Sequence, residues 1–442
     1  MNASEQPRRG SGAGRVAFVR LSSAAAAFGL QLMLARLMSP TEFGVLVVAM
    51  TWIGLASALA SLSMPLVAMR FIADYLARGA LGAARAIWRY CVAWALVGSV
   101  SVALVLLVSG TTGLLQLPGI AGSSWMAVGL LVLVWPLLST TAGQLQGLQK
   151  VITAELLSNL LRTCIVMIGA ASLLWLAQRA PRAADLLWIH LGATSLLLVV
   201  CWFWGRAIRP PGWADVPPQA EPGLWRATAA GFFGVMVVGA LAERIDVLVI
   251  GKVGSSEEIA LYAVATRFSQ GLGVLLVAVY GGLAPRLSAQ LTEIQAGRTA
   301  AAQTDVTRFA RIAALLAGSA ALVFVLLGPW LLMLFGPAYR EAGPALAVLG
   351  LGFVCACLFG PSLLVVTLAG RSRLTTAALL SGVVVNATLV AWLAPLWGAT
   401  GAALGAAIGT VLPPMLCWWW LRRTLGLDAA VWARGPAVQQ VQ

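Results

Sequence analysis

The sequence predicts an all-α integral membrane protein of about twelve transmembrane helices with both termini in the cytoplasm. Three observations carry this. The 442-residue chain is 60% hydrophobic and only 10% charged, too little charge to cover a soluble protein of this size. Its apolar residues come in blocks of about twenty, the length of a helix that crosses a bilayer. Its cations collect in alternate connections, as positive-inside chains require. The expected location is the bacterial inner membrane.

Residues 1–15 form a polar tail with Arg8, Arg9 and Arg15. Arg8-Arg9 lacks the apolar consensus of a twin-arginine signal, and the following segment is long and ends in Arg36, so it reads as an uncleaved first helix. The spans fall at 16–38, 43–63, 88–109, 122–145, 151–177, 184–206, 225–250, 257–283, 308–333, 343–369, 374–394 and 398–421. Gly, Pro or charge marks their ends, as at Leu117-Pro118-Gly119, Gly336-Pro337 and Arg371-Ser372-Arg373. Tryptophans such as Trp202, Trp204, Trp330 and Trp397 stand near segment ends, where interfacial anchors belong. The tail, the even-numbered connections and the C-terminal segment carry twenty Lys and Arg, against five in the odd connections. That asymmetry sets the orientation.

Five prolines between Arg206 and Gly223 (RAIRPPGWADVPPQAEPG) make 207–224 a stiff linker. It separates a first set of six spans, 16–206, from a second, 225–424, and residues 425–442 form a cytoplasmic tail. The stretch 286–307, with Leu287, Leu291 and Ile294 among polar residues, reads as a surface helix.

One turn occurs twice. In LARLMSPTEFGVLVVAM, Leu34 to Met50, Ser39 is an N-cap, Pro40 opens the helix and Glu42 completes a capping box. In GKVGSSEEIALYAVAT, Gly251 to Thr266, Ser255 and Glu258 repeat it at an offset of 216 residues. At that offset Arg36 meets Lys252, Phe43 meets Ile259, Val48 meets Val264, Ala49 meets Ala265 and Arg70 meets Arg286. The recurrence points to internal duplication.

Net charge of +14 would suggest a nucleic-acid partner in a soluble protein. Here the cations lie in loops on one side of a membrane, so no nucleic acid is expected. Six cysteines, Cys91, Cys164, Cys201, Cys355, Cys357 and Cys417, sit in apolar segments and read as buried free thiols. With His190 the only histidine, no metal site is expected.

Ionisable groups within spans are costly and usually face a bundle interior or water. Span five carries Glu155, Asn159 and Arg162 at spacings that share a helical face. Arg162 lies about 16 Å in from Lys150. Span seven carries Glu243, Arg244 and Asp246, and span eight carries Arg267, about 15 Å in from Glu257. Arg20 stands about a turn into span one. Arginine pairing with Glu155, Glu243 or Asp246 would make these groups helix-to-helix glue. Asn386 reads as an interhelical hydrogen-bonding residue.

Several segments resemble the polysaccharide-export flippases of the multidrug/oligosaccharidyl-lipid/polysaccharide (MOP) exporter superfamily. They are LARLMSPTEFGVLVVAMTWIGLASALASLSMPLVAMR at the start, DVLVIGKVGSSEEIALYAVATRF (Asp246 to Phe268), MLFGPAYREAG (Met333 to Gly343) and NATLVAWLAPLWGATGAALGAAIG (Asn386 to Gly409). Ser63-Met64-Pro65 stands where a glycine-containing turn is usual. The resemblance implies two six-helix bundles in a V, alternating access, and an undecaprenyl-pyrophosphate-linked oligosaccharide as cargo for O-antigen, exopolysaccharide or capsule assembly. It implies no enzyme and no catalytic residue. Arg162, Arg244, Arg267 and Arg20 would then bind the pyrophosphate, since a guanidinium meets phosphate oxygens bidentately and stays charged when buried. Glu243, Asp246, Glu155 and Asn159 would orient them or carry a coupling ion, H+ or Na+, with Asp246 expected to orient Arg244 or Arg267. No other cofactor is expected. Expected partners are the lipid-linked oligosaccharide, membrane lipids, and the polysaccharide polymerase with its chain-length machinery. The alternatives are a cation-coupled drug exporter, a peptidoglycan-precursor (lipid II) flippase, or a membrane glycosyltransferase or polymerase. The short, uncharged 110–121 connection argues against the last, and four buried arginines against three acids favour anionic cargo.

Overall fold

The computed structural model describes residues 10–113, 120, 122–213, 215–290 and 299–433. Arg8 and Arg9, most of the 110–121 connection, the 291–298 part of the expected surface helix, and Arg434 lie outside them. The described residues are all helix and connection, with no strand among them.

Ten helices among the described residues are long and apolar enough to cross a membrane. Spans one to six correspond to Gly10–Leu37, Pro40–Ala60, Leu81–Thr111, Ser123–Gly147, a run of helical turns from Val151 to Ala177, and Ala183–Ala207. Ser256–Ala289, at 34 residues, is also of spanning length. The last helix, Ser372–Thr424, has 53 residues and would stretch about 80 Å if straight. It does not run straight. Trp397 and Gly398 leave helical dihedrals, Gly398 at φ 55° and ψ −135°. Beyond that corner the chain returns along itself. A Cβ on Gly401 would stand 2.1 Å from the Leu393 carbonyl oxygen, and one on Gly405 2.7 Å from the Val390 nitrogen. Glycines four apart let the two arms touch backbone to backbone, so expected spans eleven and twelve form a hairpin. Asn386 lies buried in it, against Gly409.

Two expected elements differ, and one helix is unexpected. Span seven breaks in two, Pro222–Ala242 and Ile245–Val253. The adjacent charges Glu243 and Arg244 interrupt the apolar run, and Arg244 takes φ −136°, ψ −8°. Span ten breaks into Gly343–Leu358 and Ser362–Leu368. Pro361 lacks the amide to continue the helix, and Gly360 turns at φ +61° with Ala429 packed where a side chain would be. An unexpected helix, Met64–Ala77, follows span two. Its Met64, Val67, Ala68, Phe71, Ile72 and Tyr75 are buried, a helical stripe in a stretch too short to read as a span. Its entry uses positive φ at Leu62 (48°) and Ser63 (59°), the conformation that glycine would supply more cheaply. The Ser63 hydroxyl offsets part of that cost, donating to the Leu62 carbonyl at 2.6 Å and lying 2.8 Å from the Ala229 carbonyl oxygen.

Contacts divide the chain into two compact units, Met1–Ala240 and Leu241–Gln442. The division falls after the proline-rich stretch because that stretch is part of the first unit. Trp213 and Trp225 are buried in one cluster with Phe71, Ile72, Tyr75, Ile87 and Trp88. Trp225 donates from Nε1 to the Tyr75 hydroxyl at 2.9 Å, and that hydroxyl donates to Glu221 at 2.8 Å. Gln219 N–H donates to Gly82 O at 3.1 Å, and Arg85 to Val216 O at 3.0 Å. The segment turns at Pro211, Gly212 and Trp213 and then runs without helix through Pro217 and Pro218, which have no amide hydrogen to donate.

In the second unit the expected C-terminal tail is docked as far as it is described. Leu427, Ala429, Ala430 and Ala433 are buried. The Gln303 amide pairs with the Asp428 backbone, donating at 2.5 Å and accepting at 2.9 Å, and Trp418 Nε1 donates to the Asp428 carboxylate at 2.7 Å. Asp428 is the one charged residue in 425–433, and the apolar residues Leu427 and Ala429 beside it join a cluster with Leu421 and Leu287.

The repeated turn appears in both units. At Ser255 the capping box is complete: Ser255 N–H donates to Glu258 at 2.8 Å, and Glu258 N–H to Ser255 Oγ at 3.2 Å. At Ser39 only half of it forms. Glu42 N–H donates to Ser39 Oγ at 3.3 Å, but the Glu42 carboxylate leaves its own cap and accepts from Ala183 N–H at 2.7 Å. The open amides at the start of Ala183–Ala207 attract it.

Candidate functional site

In the first unit, span five is not a regular helix. Leu156–Leu161 winds as a π-helix between Val151–Glu155 and Arg162–Ala177, a defect frequent at functional sites. The wider turn alters the face expected from a 3.6 period. Asn159 donates to Glu155 at 2.9 Å, so those two stay together. Arg162 instead lays its guanidinium 4.1 Å from the centre of the Trp135 ring and donates from Nε to Ser158 O at 3.1 Å. The expected ion pair of Arg162 with Glu155 does not form. Buried His190 lies within electrostatic reach of Arg162, its Nδ1 without a hydrogen-bond partner. Arg20 is exposed on the first helix.

In the second unit, Asp246 opens the short helix after the break. Its carboxylate accepts a short hydrogen bond from the Tyr262 hydroxyl and a 2.8 Å bond from Val247 N–H. Its side-chain hydrogen-bond donor is Tyr262, which reaches it from the facing helix, rather than Arg244 or Arg267. Arg244 pairs at 3.4 Å with its neighbour Glu243, which is 74% exposed, so that pair is worth little. Arg267 donates from Nη1 to Gln270 at 2.9 Å, and its buried Nε has no hydrogen-bond partner. It lies within electrostatic reach of Asp246 and Arg244 without an ion pair to either among the described residues.

Both deep arginines are therefore held by neutral groups, an indole and an amide, and neither is paired with a carboxylate among the described residues. Guanidinium groups so placed keep donors for an incoming anion. Sequence reasoning missed Trp135, Tyr262 and Gln270 as partners. Gln270 follows Arg267 by three residues and could have been read from helical spacing. Trp135 lies on another span, and nothing local signals it. Among the described residues no group of three or more His, Cys, Asp or Glu could hold a metal ion. The cysteines are free, and Cys355 is exposed while Cys357 is buried, the opposite helix faces that their spacing requires.

This architecture of apolar helices with charged groups set inside them is that of a multi-pass membrane protein. A family profile described as polysaccharide biosynthesis protein matches residues 11–290, and the chain belongs to that family. No curated protein matches it. Among solved structures it is similar to an inward-facing multidrug resistance MATE family transporter of the MOP superfamily, at 13% identity and TM-score 0.72, over 93% of this chain and 98% of the other. It is also similar to the lipid II flippase MurJ in an inward closed conformation, at 12% identity and TM-score 0.64, over 92% and 87%. A third is a MOP superfamily transporter from Pyrococcus furiosus whose binding pocket is described as reversed in polarity, at 12% identity and TM-score 0.57, over 94% and 93%. At these identities the likeness is one of fold, which is that of MOP superfamily transporters.

Proposed function

We propose that this protein moves an undecaprenyl-pyrophosphate-linked oligosaccharide across the bacterial inner membrane for surface polysaccharide assembly. The observation that carries this reading is the pair of deep guanidiniums, Arg162 and Arg267, left without carboxylate partners among the described residues. A cationic drug would be repelled by them, whereas a pyrophosphate would complete their hydrogen bonding. Family membership supports a saccharide as the rest of the cargo. Arg162 and Arg267 bind the pyrophosphate; Arg244 and Arg20, one paired and one exposed, are the weaker contributors. Trp135 and Gln270 hold the first two in place. Glu243 carries the coupling ion, a proton or sodium, while Asp246 is held by Tyr262. No bond in the cargo is made or broken. Both termini lie in the cytoplasm, which the loop charges support, and the polymerase and chain-length machinery take up the cargo on the far side.

The test is translocation of a fluorescent undecaprenyl-pyrophosphate oligosaccharide in proteoliposomes, with a cationic dye and fluorescent lipid II as parallel cargoes. Protein-dependent movement of the oligosaccharide lipid alone is the expected result. Dye movement driven by an ion gradient would overturn the cargo class, and preference for lipid II would overturn the saccharide assignment.

A further inference from the structure

We propose that the first unit holds an anionic bilayer phospholipid, its phosphate headgroup among Arg85, Arg89, Arg206 and Arg209 and its acyl chain in the adjoining apolar groove. This site lies away from the deep arginines and does not depend on the cargo.

The headgroup cavity has a volume of about 440 Å³ and is lined by those four arginines, Trp88, Trp202 and Trp213, with Val92 and Ala93. Its described lining contains no carboxylate. Two of the cations are braced by aromatic rings. The Arg209 guanidinium stands 4.8 Å from the centre of the Trp88 ring and 5.9 Å from that of Trp213, and Arg206 stands 5.3 Å from Trp202. Trp88 is 95% buried, being 5% exposed, yet its Nε1 has no acceptor, and neither has the buried Nε of Arg209. Unmet donors of this kind usually have a partner, and an unmet one calls for an explanation. Burial, with Arg206 and Arg85 adding like charge, pushes the Arg209 guanidinium below its usual range. An anion would relieve all of these costs together.

A second cavity says that the anion has a tail. It measures about 300 Å³, is wholly apolar in exposed lining, and shares Val92 and Trp202 with the first. The two follow one another along both helices. On Leu81–Thr111 the order is Arg85, Arg89, Val92, Leu96, at helical offsets of four, seven and eleven, so they share a face about 16 Å long. On Ala183–Ala207 it is Arg206, Trp202, then Val199 and Leu198. Charge at the helix end, tryptophan next, and aliphatic side chains deeper in reproduce the polarity profile of one lipid leaflet. Leu96, Val199 and Phe203 are all exposed, so the groove is open along its side to a chain entering from the bilayer. A free phosphate would use only the first cavity. Four arginines line the headgroup cavity, and a headgroup with two phosphates, as in cardiolipin, suits such a basic pocket best. The proline-rich segment forms its floor through Trp213, and Arg85 is tied to it at Val216.

The experiment is native mass spectrometry of the purified full-length protein titrated with cardiolipin, phosphatidylglycerol, phosphatidylethanolamine, undecaprenyl pyrophosphate and inorganic pyrophosphate. The expected order is cardiolipin, then phosphatidylglycerol, well ahead of phosphatidylethanolamine, with inorganic pyrophosphate unable to displace them. Arg89→Gln with Arg206→Gln should weaken cardiolipin binding roughly tenfold or more, at an unchanged melting temperature, while the paired lysine variant keeps most of it. Leu96→Trp, which fills the groove, should weaken cardiolipin and leave short-chain analogues unaffected. Unchanged cardiolipin binding in the glutamine pair would overturn the proposal. So would displacement by inorganic pyrophosphate, or undecaprenyl pyrophosphate as the only ligand whose binding the glutamine pair weakens. The last would make this an entry site for cargo.

Discussion

Removing one phenol tests whether Asp246 is held away from Arg267. In Tyr262→Phe the Asp246 carboxylate keeps only the Val247 N–H at 2.8 Å. The lost bond joins a hydroxyl to a carboxylate, a class worth about 1.5–3 kcal/mol. Tyr262 is fully buried, so water cannot easily replace it. The expected loss of stability is about 2 kcal/mol, reduced by whatever Asp246 recovers by turning to Arg267. That turn is the functional point. An Asp246–Arg267 ion pair would occupy the guanidinium proposed to bind pyrophosphate. Losing about 1.4 kcal/mol of that binding lowers affinity tenfold. Transport per folded molecule should therefore fall roughly tenfold, beyond any loss of protein. Adding Asp246→Asn removes the competing charge, and should restore transport to within about twofold while stability stays low; neighbours in one network couple by about 0.5–3 kcal/mol. Thermal unfolding in detergent reads the first effect and flipping in proteoliposomes the second. If the double variant is as slow as Tyr262→Phe, or if Tyr262→Phe is destabilised but transports normally, Asp246 does not compete for Arg267.

Other outcomes follow from the same geometry. Arg267→Ala should abolish surface polysaccharide at normal protein level, whereas Arg267→Lys should retain part of it, since a point charge replaces a fork; normal polysaccharide in the alanine variant would refute the role. Trp135→Leu removes the ring beneath Arg162 and should raise the concentration for half-maximal transport several-fold with little change in maximal rate, measured in the same proteoliposomes. Gly360→Ala meets both a φ of +61° and the Ala429 carbonyl 1.9 Å from the new Cβ; it should cost about 3 kcal/mol or more and free the C-terminal segment to protease, which limited proteolysis would detect. Glu42→Ala and Glu258→Ala should each cost about 1 kcal/mol of thermal stability, and a variant of either that melts like the parent would remove the argument for a shared role.

The spans were legible because each is an apolar run with its own stop signals. Pro40, Gly336-Pro337 and Arg371-Ser372-Arg373 mark ends locally, and local marks survive without tertiary information. Breaks inside apolar runs were less so: Gly360-Pro361 was readable, yet the run continues through it. Met64–Ala77 was missed because fourteen residues are short for a span and its stripe only matters once Trp225 and Trp213 pack against it. The site divides in the same way. Arg162 and Arg267 stand out in sequence, since a charge within a span is conspicuous. Their partners do not. Tyr262 and Trp135 are unremarkable aromatic residues until a neighbouring helix brings Asp246 or Arg162 to them. The π-turn at Leu156–Leu161 has no residue that demands it, and it upset the one phase argument that assumed a regular helix.

The duplication is stronger in space than in sequence. Glu42 accepts from the amide of Ala183, next to Arg182 at the start of Ala183–Ala207. Gly398, which follows Arg182 by the same 216 residues, is the corner that starts the last arm, and a Cβ there would stand 2.6 Å from the Glu258 carboxylate. So within each unit the glutamate that begins the second helix of the repeat reaches the beginning of its sixth. The pairs Val48 with Val264 and Ala49 with Ala265 are buried alike. Chance likeness between apolar helices would align residue types, but would not align a contact between helices some 140 residues apart in both copies. The copies then diverge where chemistry is placed. The first unit carries its deep cation on its fifth span, beside Trp135, and the second carries its cation on the second helix of the repeat, beside Gln270.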